Sequence, residues 1–188
     1  MMKNILFVIL IHLFISVNIS CNSKRENKKV DSQKELFVTG KVISILDGDT
    51  YDILLEGNKT VRIRMEGIDA PERGMPFYKV SKKHLSDLGF GKIVRIEIND
   101  TDSDGRFIAF TYLNDSTELS HEMIKSGLAW HFKKYNSDSV LATLEIKARE
   151  LRIGLWVDES PMPPWRNREL HRNGISTKDS FKINEANK

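Results

Sequence analysis

A chain of 188 residues that is 40% hydrophobic and 29% charged has the composition of a folded protein, not of a disordered one, and its length suits one ordinary domain with appendages. The formal charge of +3 is too small to argue by itself for a polyanion partner. A single cysteine excludes an intrachain disulfide, and the five histidines, at positions 12, 84, 121, 131 and 171, include no pair at zinc-ligand spacing.

Residues 1–21 read as a secretory signal: a short positive start at Lys3, an almost wholly apolar run over 5–17, then small or polar residues. The run is shorter than the ~20 residues a membrane-spanning helix takes. Cys21 follows the small Ser20, as in the acylated cysteine of a bacterial lipoprotein, although Asn18 stands where such signals usually carry leucine. A lipid on Cys21 would anchor the chain to a membrane, each buried methylene contributing ~0.8 kcal/mol. The alternative is an ordinary signal, cleaved nearby, that leaves a free thiol. Both readings predict an exported protein, either an envelope lipoprotein or a secreted one. Residues 22–35 carry almost no apolar side chain and read as a polar tether. The domain is expected over 36–165, and residues 166–188, polar and basic behind "SPMPPW", are expected to form a disordered tail.

Within the domain, "LFVTGKVISIL" reads as a first strand, "DGD" as a turn, and "TYDILL" as a second strand. "EGNK" turns the chain into "TVRIRMEGI", where Val61, Ile63 and Met65 face one way and Arg62, Arg64 and Glu66 the other. "FYKVSKKHLSDL" is expected to be an amphipathic helix with Phe77, Val80, His84 or Leu85, and Leu88 on its apolar face. "KIVRIEI" and "RFIAFTYL" are the fourth and fifth strands, separated by the turn "DTDSDG". "ELSHEMIKSG" is a short helix with Gly127 at its C-terminal cap. After "LAWHFKKY", Ser137 or Asp138 caps a longer helix whose core stripe is Leu141, Leu144, Ala148 and Leu151. Five strands with a helix between the third and fourth predict a mainly β, α+β fold: an OB-fold barrel capped by about three helices.

Asp47 and Asp49 lie in the first turn, and Asp69 and Glu72 lie where the third strand ends. A meander of the first three strands would bring both places to one end of the barrel. Four carboxylates together repel one another unless a cation sits among them, and oxygen-only ligands on flexible turns suit calcium better than magnesium. Taken singly, "DGDT" is a common turn, "IDAPE" a strand exit, and Arg64 and Arg106 solvated side chains.

Together, "DGDT", Arg64 five residues before "DAPE", "DGR" at the fifth strand, "GLAW" and "GLW" resemble the staphylococcal-nuclease-like, or thermonuclease, family over about residues 37–165. The resemblance implies an OB-fold, calcium-dependent phosphodiesterase with one calcium ion, acting on DNA and/or RNA with little sequence preference, and a monomer. It implies that Asp49, Asp69 and the backbone carbonyl of Ala70 bind the metal, supported by Asp47 and Thr50. It makes Glu72 the residue that orients or deprotonates the attacking water, and Arg64 and Arg106 the grip on the phosphate. The resemblance also implies that Thr50, Lys133, Lys134 and Tyr135 contact the substrate. Asp104 and Ser103 depart from the family's tyrosine and lysine, and an acid there repels phosphate. Two other classes compete: a catalytically inactive OB-fold module that binds nucleic acid or protein at the cell envelope, and an envelope lipoprotein with a structural calcium clamp. The two arginines weigh against a clamp, which needs only carboxylates.

Overall fold

Residues 36–114 and 116–177 are described by the computed structural model, so the expected leader, the tether and Cys21 lie outside the described residues. β1 (Leu36–Ile45), β2 (Thr50–Leu54) and β3 (Thr60–Met65) form the expected antiparallel meander. Ile63 and Met65 are buried while Arg62 is exposed, which is the alternation a half-buried strand requires. A turn at Glu66 and Gly67 leads into the two-residue strand β4 (Ile68–Asp69), then the chain runs into α1 (Tyr78–Gly89). β5 (Ile93–Thr101) returns antiparallel to β1, and β6 (Phe107–Leu113) lies antiparallel to β5. β6 also pairs parallel with β3, from Ile63 opposite Phe107 to Met65 opposite Ala109, which closes the sheet into a five-stranded barrel. Closure leaves little exposed strand edge and confirms the OB-fold, α+β architecture.

The remaining elements cap the barrel. A short strand β7 (Thr117–Glu118) folds back antiparallel on the end of β6 and leads into α2 (Leu119–Lys125), whose first N–H groups are received by the Glu118 carboxylate at 2.9–3.0 Å. β8 (Trp130–His131) pairs with β4, and α3 (Ser139–Glu150) follows, capped by Asp138 through the N–H of Val140 at 2.6 Å. The main core joins Val42, Ile53, Ile63, Val94 and Ile96 of the barrel to Leu85, Met123 and Leu141 of the helices. A smaller cluster of Trp130, Ala148, Leu155 and Trp156 lies beyond it, with Trp165 packed against it.

Three expectations change. On α1, Val80 is 53% exposed and Ser81 is buried in its place, because the Ser81 hydroxyl donates to the Leu128 carbonyl at 2.8 Å. On α3, Glu145 is buried, held by Lys133 at 2.6 Å and Arg149 at 3.3 Å, while Leu151, expected in its core stripe, lies just past its last turn and is 70% exposed. Beyond Trp165, where a fraying tail was expected to begin, the chain forms a fourth helix, α4 (Pro164–Arg172). Pro164 sits in its first turn, where a missing N–H costs nothing. Trp165 anchors it, stacked on Phe132 at 5.3 Å between ring centroids and set edge-on to Trp130 at 6.4 Å.

Candidate active site

The turn between β1 and β2 is tight because Gly48 lies against α1: a β-carbon there would meet the Ser81 hydroxyl at 1.8 Å. Within that turn the Asp47 carboxylate accepts from the Asp49 N–H at 3.0 Å, folding the acidic segment on itself. Asp49 is buried, with one oxygen accepting from the Thr50 hydroxyl at 2.8 Å and the other from the Ala70 N–H at 2.6 Å. The bond to Ala70 ties the first turn to the chain leaving β4, so the two acidic segments do meet at one end of the barrel, as the meander predicts.

Arg64 leaves β3 toward those acids. One terminal nitrogen donates to the carbonyls of Met65 and Ile68 at 3.0 and 2.8 Å, and the other faces Asp69 at 3.0 Å and Asp49 at 3.3 Å. Here Arg64 is a staple of the β3–β4 turn as well as a positive group in the cleft. Burial is the main reason that Asp69's pKa stands above the ordinary carboxylate value, although Arg168 and Arg64 pull it down. Burial, and next the Asp49 charge, push Asp47 up to about 7.

Arg106 stands at the mouth of the same cleft, at the start of β6. Asp102 accepts from its backbone N–H at 3.0 Å and its Nε at 2.7 Å, so the "DSDG" turn orients the guanidinium. A terminal nitrogen lies 3.5 Å from the exposed Asp104 carboxylate. The departing acid therefore pairs with Arg106 rather than only facing the substrate path. A slip of register in β5 falls between Ile98 and Asp100, where Asn99 and Asp100 line the same cleft.

Arg168 was not anticipated. From α4 it donates to Glu72 at 2.5 Å and to Asp69 at 2.7 Å, bridging two of the acids, and the Asn167 amide donates to the other Glu72 oxygen at 3.4 Å. The sequence held a usable signal for it, since "PPWRNREL" places proline at a helix start and an aromatic anchor beside it. The cleft that joins Asp47, Asp49, Thr50, Arg64, Asp69, Ala70, Glu72, Arg106 and Tyr135 has a volume of about 670 Å³. Lys133 and Lys134 stand outside it, in a neighbouring groove.

Among the described residues, no three or more His, Cys, Asp or Glu side chains stand in metal-holding geometry. In kind the donors fit a hard cation: Asp49 and Asp69 offer oxygen only, and they already draw positive groups to within 3.3 Å.

A closed five-stranded barrel with acids and guanidiniums interleaved at one end defines an OB-fold protein with a charged cleft. A family model described as staphylococcal nuclease homologue matches residues 62–158. The chain is 37% identical over 128 residues to an "uncharacterized endonuclease" of Escherichia coli O157:H7, covering 68% of this chain and 83% of that protein. It is 39% identical over 133 residues to an "uncharacterized endonuclease" of Haemophilus influenzae, covering 70% and 74%. It is 33% identical over 147 residues to a "micrococcal nuclease" of Shigella flexneri, covering 73% and 84%. The chain belongs to the staphylococcal nuclease homologue family, and its enzyme class is that of the nucleases, which are hydrolases.

Proposed function

We propose that the protein hydrolyses phosphodiester bonds of DNA, RNA or both, in a calcium-dependent reaction with little sequence preference. The observation that carries this reading is the meeting of Asp49, Asp69 and Glu72 with Arg64 and Arg106 in one cleft. Hydrolysis of a phosphodiester loads extra negative charge onto the phosphoryl oxygens and needs a deprotonated water. Carboxylates alone would repel such a substrate, so the arginines are what make the cleft suitable.

Glu72 is open to water, with its side chain 36% exposed, while Arg168 and Asn167 fix the orientation of its carboxylate. It takes the proton of the attacking water. Arg106, held through Nε by Asp102, exchanges its terminal nitrogens from Asp104 onto the phosphate, where a planar fork grips two oxygens at once. Arg64 fixes Asp69 and adds positive field at the floor of the cleft. A calcium ion held by Asp49, Asp69 and the Ala70 carbonyl, with Asp47 and Thr50 behind them, would supply further charge at the phosphoryl oxygens and acidify the attacking water. Groups of this kind read phosphate and not base edges, which supports a weak sequence preference.

Glu72→Gln and Arg106→Ala are each expected to lower turnover on single-stranded DNA by about two orders of magnitude or more, with an unchanged circular dichroism spectrum. Turnover near that of the unaltered protein would remove the residue concerned from the mechanism.

We also propose export, supported by the apolar run over 5–17 and by Cys21 behind Ser20, with the protein either lipid-anchored or secreted. Cells making the protein are expected to incorporate labelled palmitate into it but not into Cys21→Ser. Absence of label from both would reject the anchored form.

A further inference from the structure

A second groove, of about 560 Å³, adjoins the acid cleft and shares Phe132, Tyr135 and Arg168 with it. Its outer wall is α4, and its other walls are α3 and the segment after β8. The lining is basic: Lys133, Lys134, Arg149, Arg168 and Arg172 against Glu145 and Glu169. Both acids are already satisfied. Glu145 is buried between Lys133 and Arg149, and Glu169 pairs at 2.6 Å with Arg166, which is not part of the groove. Lys134 lies 5.0 Å over the ring of Tyr135, and neither it nor Arg172 has a carboxylate in ion-pair reach among the described residues. The stacked pair of Phe132 and Trp165 gives the groove an apolar floor. Tyr135, 68% exposed, stands where groove and cleft join.

A positive channel with an aromatic floor, continuous with a site for a phosphodiester, has the chemistry that tracks a polynucleotide backbone. Its size is in the ~300–1,000 Å³ range of sites for small organic groups, which suits a few unstacked nucleotides better than a rigid duplex. We propose that the groove between α3 and α4 binds the single-stranded segment flanking the scissile phosphate, with Lys134 and Arg172 on its phosphates. This rests on the nuclease reading, and it makes α4 part of the substrate track rather than only a cap on the barrel. Length of substrate then matters: a strand long enough to enter the groove gains contacts that a short one cannot make.

The test is binding of fluorescently labelled (dT)3 and (dT)12 to the full chain, measured by anisotropy in chelator so that nothing is cut, over a series of salt concentrations. The unaltered protein is expected to bind (dT)12 about tenfold or more tightly than (dT)3. Arg172→Ala is expected to lose about tenfold on (dT)12 and less than about twofold on (dT)3, and to flatten the salt slope by about one contact. Lys147→Ala, on α3 but outside the groove, is expected to change neither. Equal losses on both lengths, no loss in Arg172→Ala, or an equal loss in Lys147→Ala would overturn the groove. A protein that cuts DNA without any effect of Arg172 loses the groove and keeps the nuclease reading. One that shows the length and Arg172 effects but never cuts keeps the groove and loses that reading.

Discussion

Arg168 bridges the acid expected to bind metal, Asp69, and the acid expected to act as base, Glu72. Its pKa is raised: burial works against its charge, but the bonds to Asp69 and Glu72 outweigh that cost. A guanidinium in this position balances carboxylates that would otherwise repel one another, as a bound cation also would. The ion pairs to Arg168 are more than a third exposed on its side, so screening leaves them worth about 1–2 kcal/mol, not the ~3–5 kcal/mol of a fully buried pair. Arg168→Gln is therefore expected to melt at a lower temperature than the unaltered protein in chelator, by an amount that shrinks when calcium is added. Thermal melts in the two conditions check this. A deficit of the same size with and without calcium would mean that Arg168 does not balance the charges that calcium meets.

Two glycines explain why "GLAW" and "GLW" belong together. Gly127, after α2, has φ +64, and Gly154, after α3, has φ +58. A β-carbon on Gly127 would meet the Ile153 carbonyl oxygen at 2.2 Å, and one on Gly154 would meet the Gly127 carbonyl oxygen at 2.4 Å. The Leu155 N–H donates to that Gly127 carbonyl at 2.8 Å, so the ends of the two helices touch backbone to backbone. Gly127→Ala combines left-handed backbone with a clash against main chain and is expected to cost about 3 kcal/mol or more, read from urea denaturation. A loss under about 1 kcal/mol would show that the contact relaxes easily. The barrel strands were legible because one face of each is buried, as the run Val61, Ile63, Met65 displays. The acid-bearing turns were legible because Asp and Gly are what such turns use. The helix faces were less so, since Ser81 and Glu145 are buried by partners that periodicity does not reveal, the Leu128 carbonyl for one and Lys133 with Arg149 for the other. The fourth helix, and Arg168 with it, was missed because a polar segment of nine residues gains its order from tertiary contacts its own pattern does not show, Trp165 on Phe132 and Trp130, and Arg168 on Asp69 and Glu72.

The barrel, its caps and α4 act together to hold a dense set of charges in place. Closing β3 onto β6 brings Arg64 and Arg106 to one end of the sheet, the first turn and the exit from β4 bring the acids there, and α4 lies over them. No helix among the described residues is long and apolar enough to cross a membrane. A rigid scaffold under turn-borne ligands suits a site whose electrostatics must be set before substrate arrives. The most direct check of the central claim is degradation of single-stranded DNA by the purified protein with calcium, with magnesium, and with chelator. The account predicts cutting with calcium that chelator abolishes and added calcium restores. Undiminished cutting in chelator, or no cutting in any of the three by protein that is folded, would contradict it.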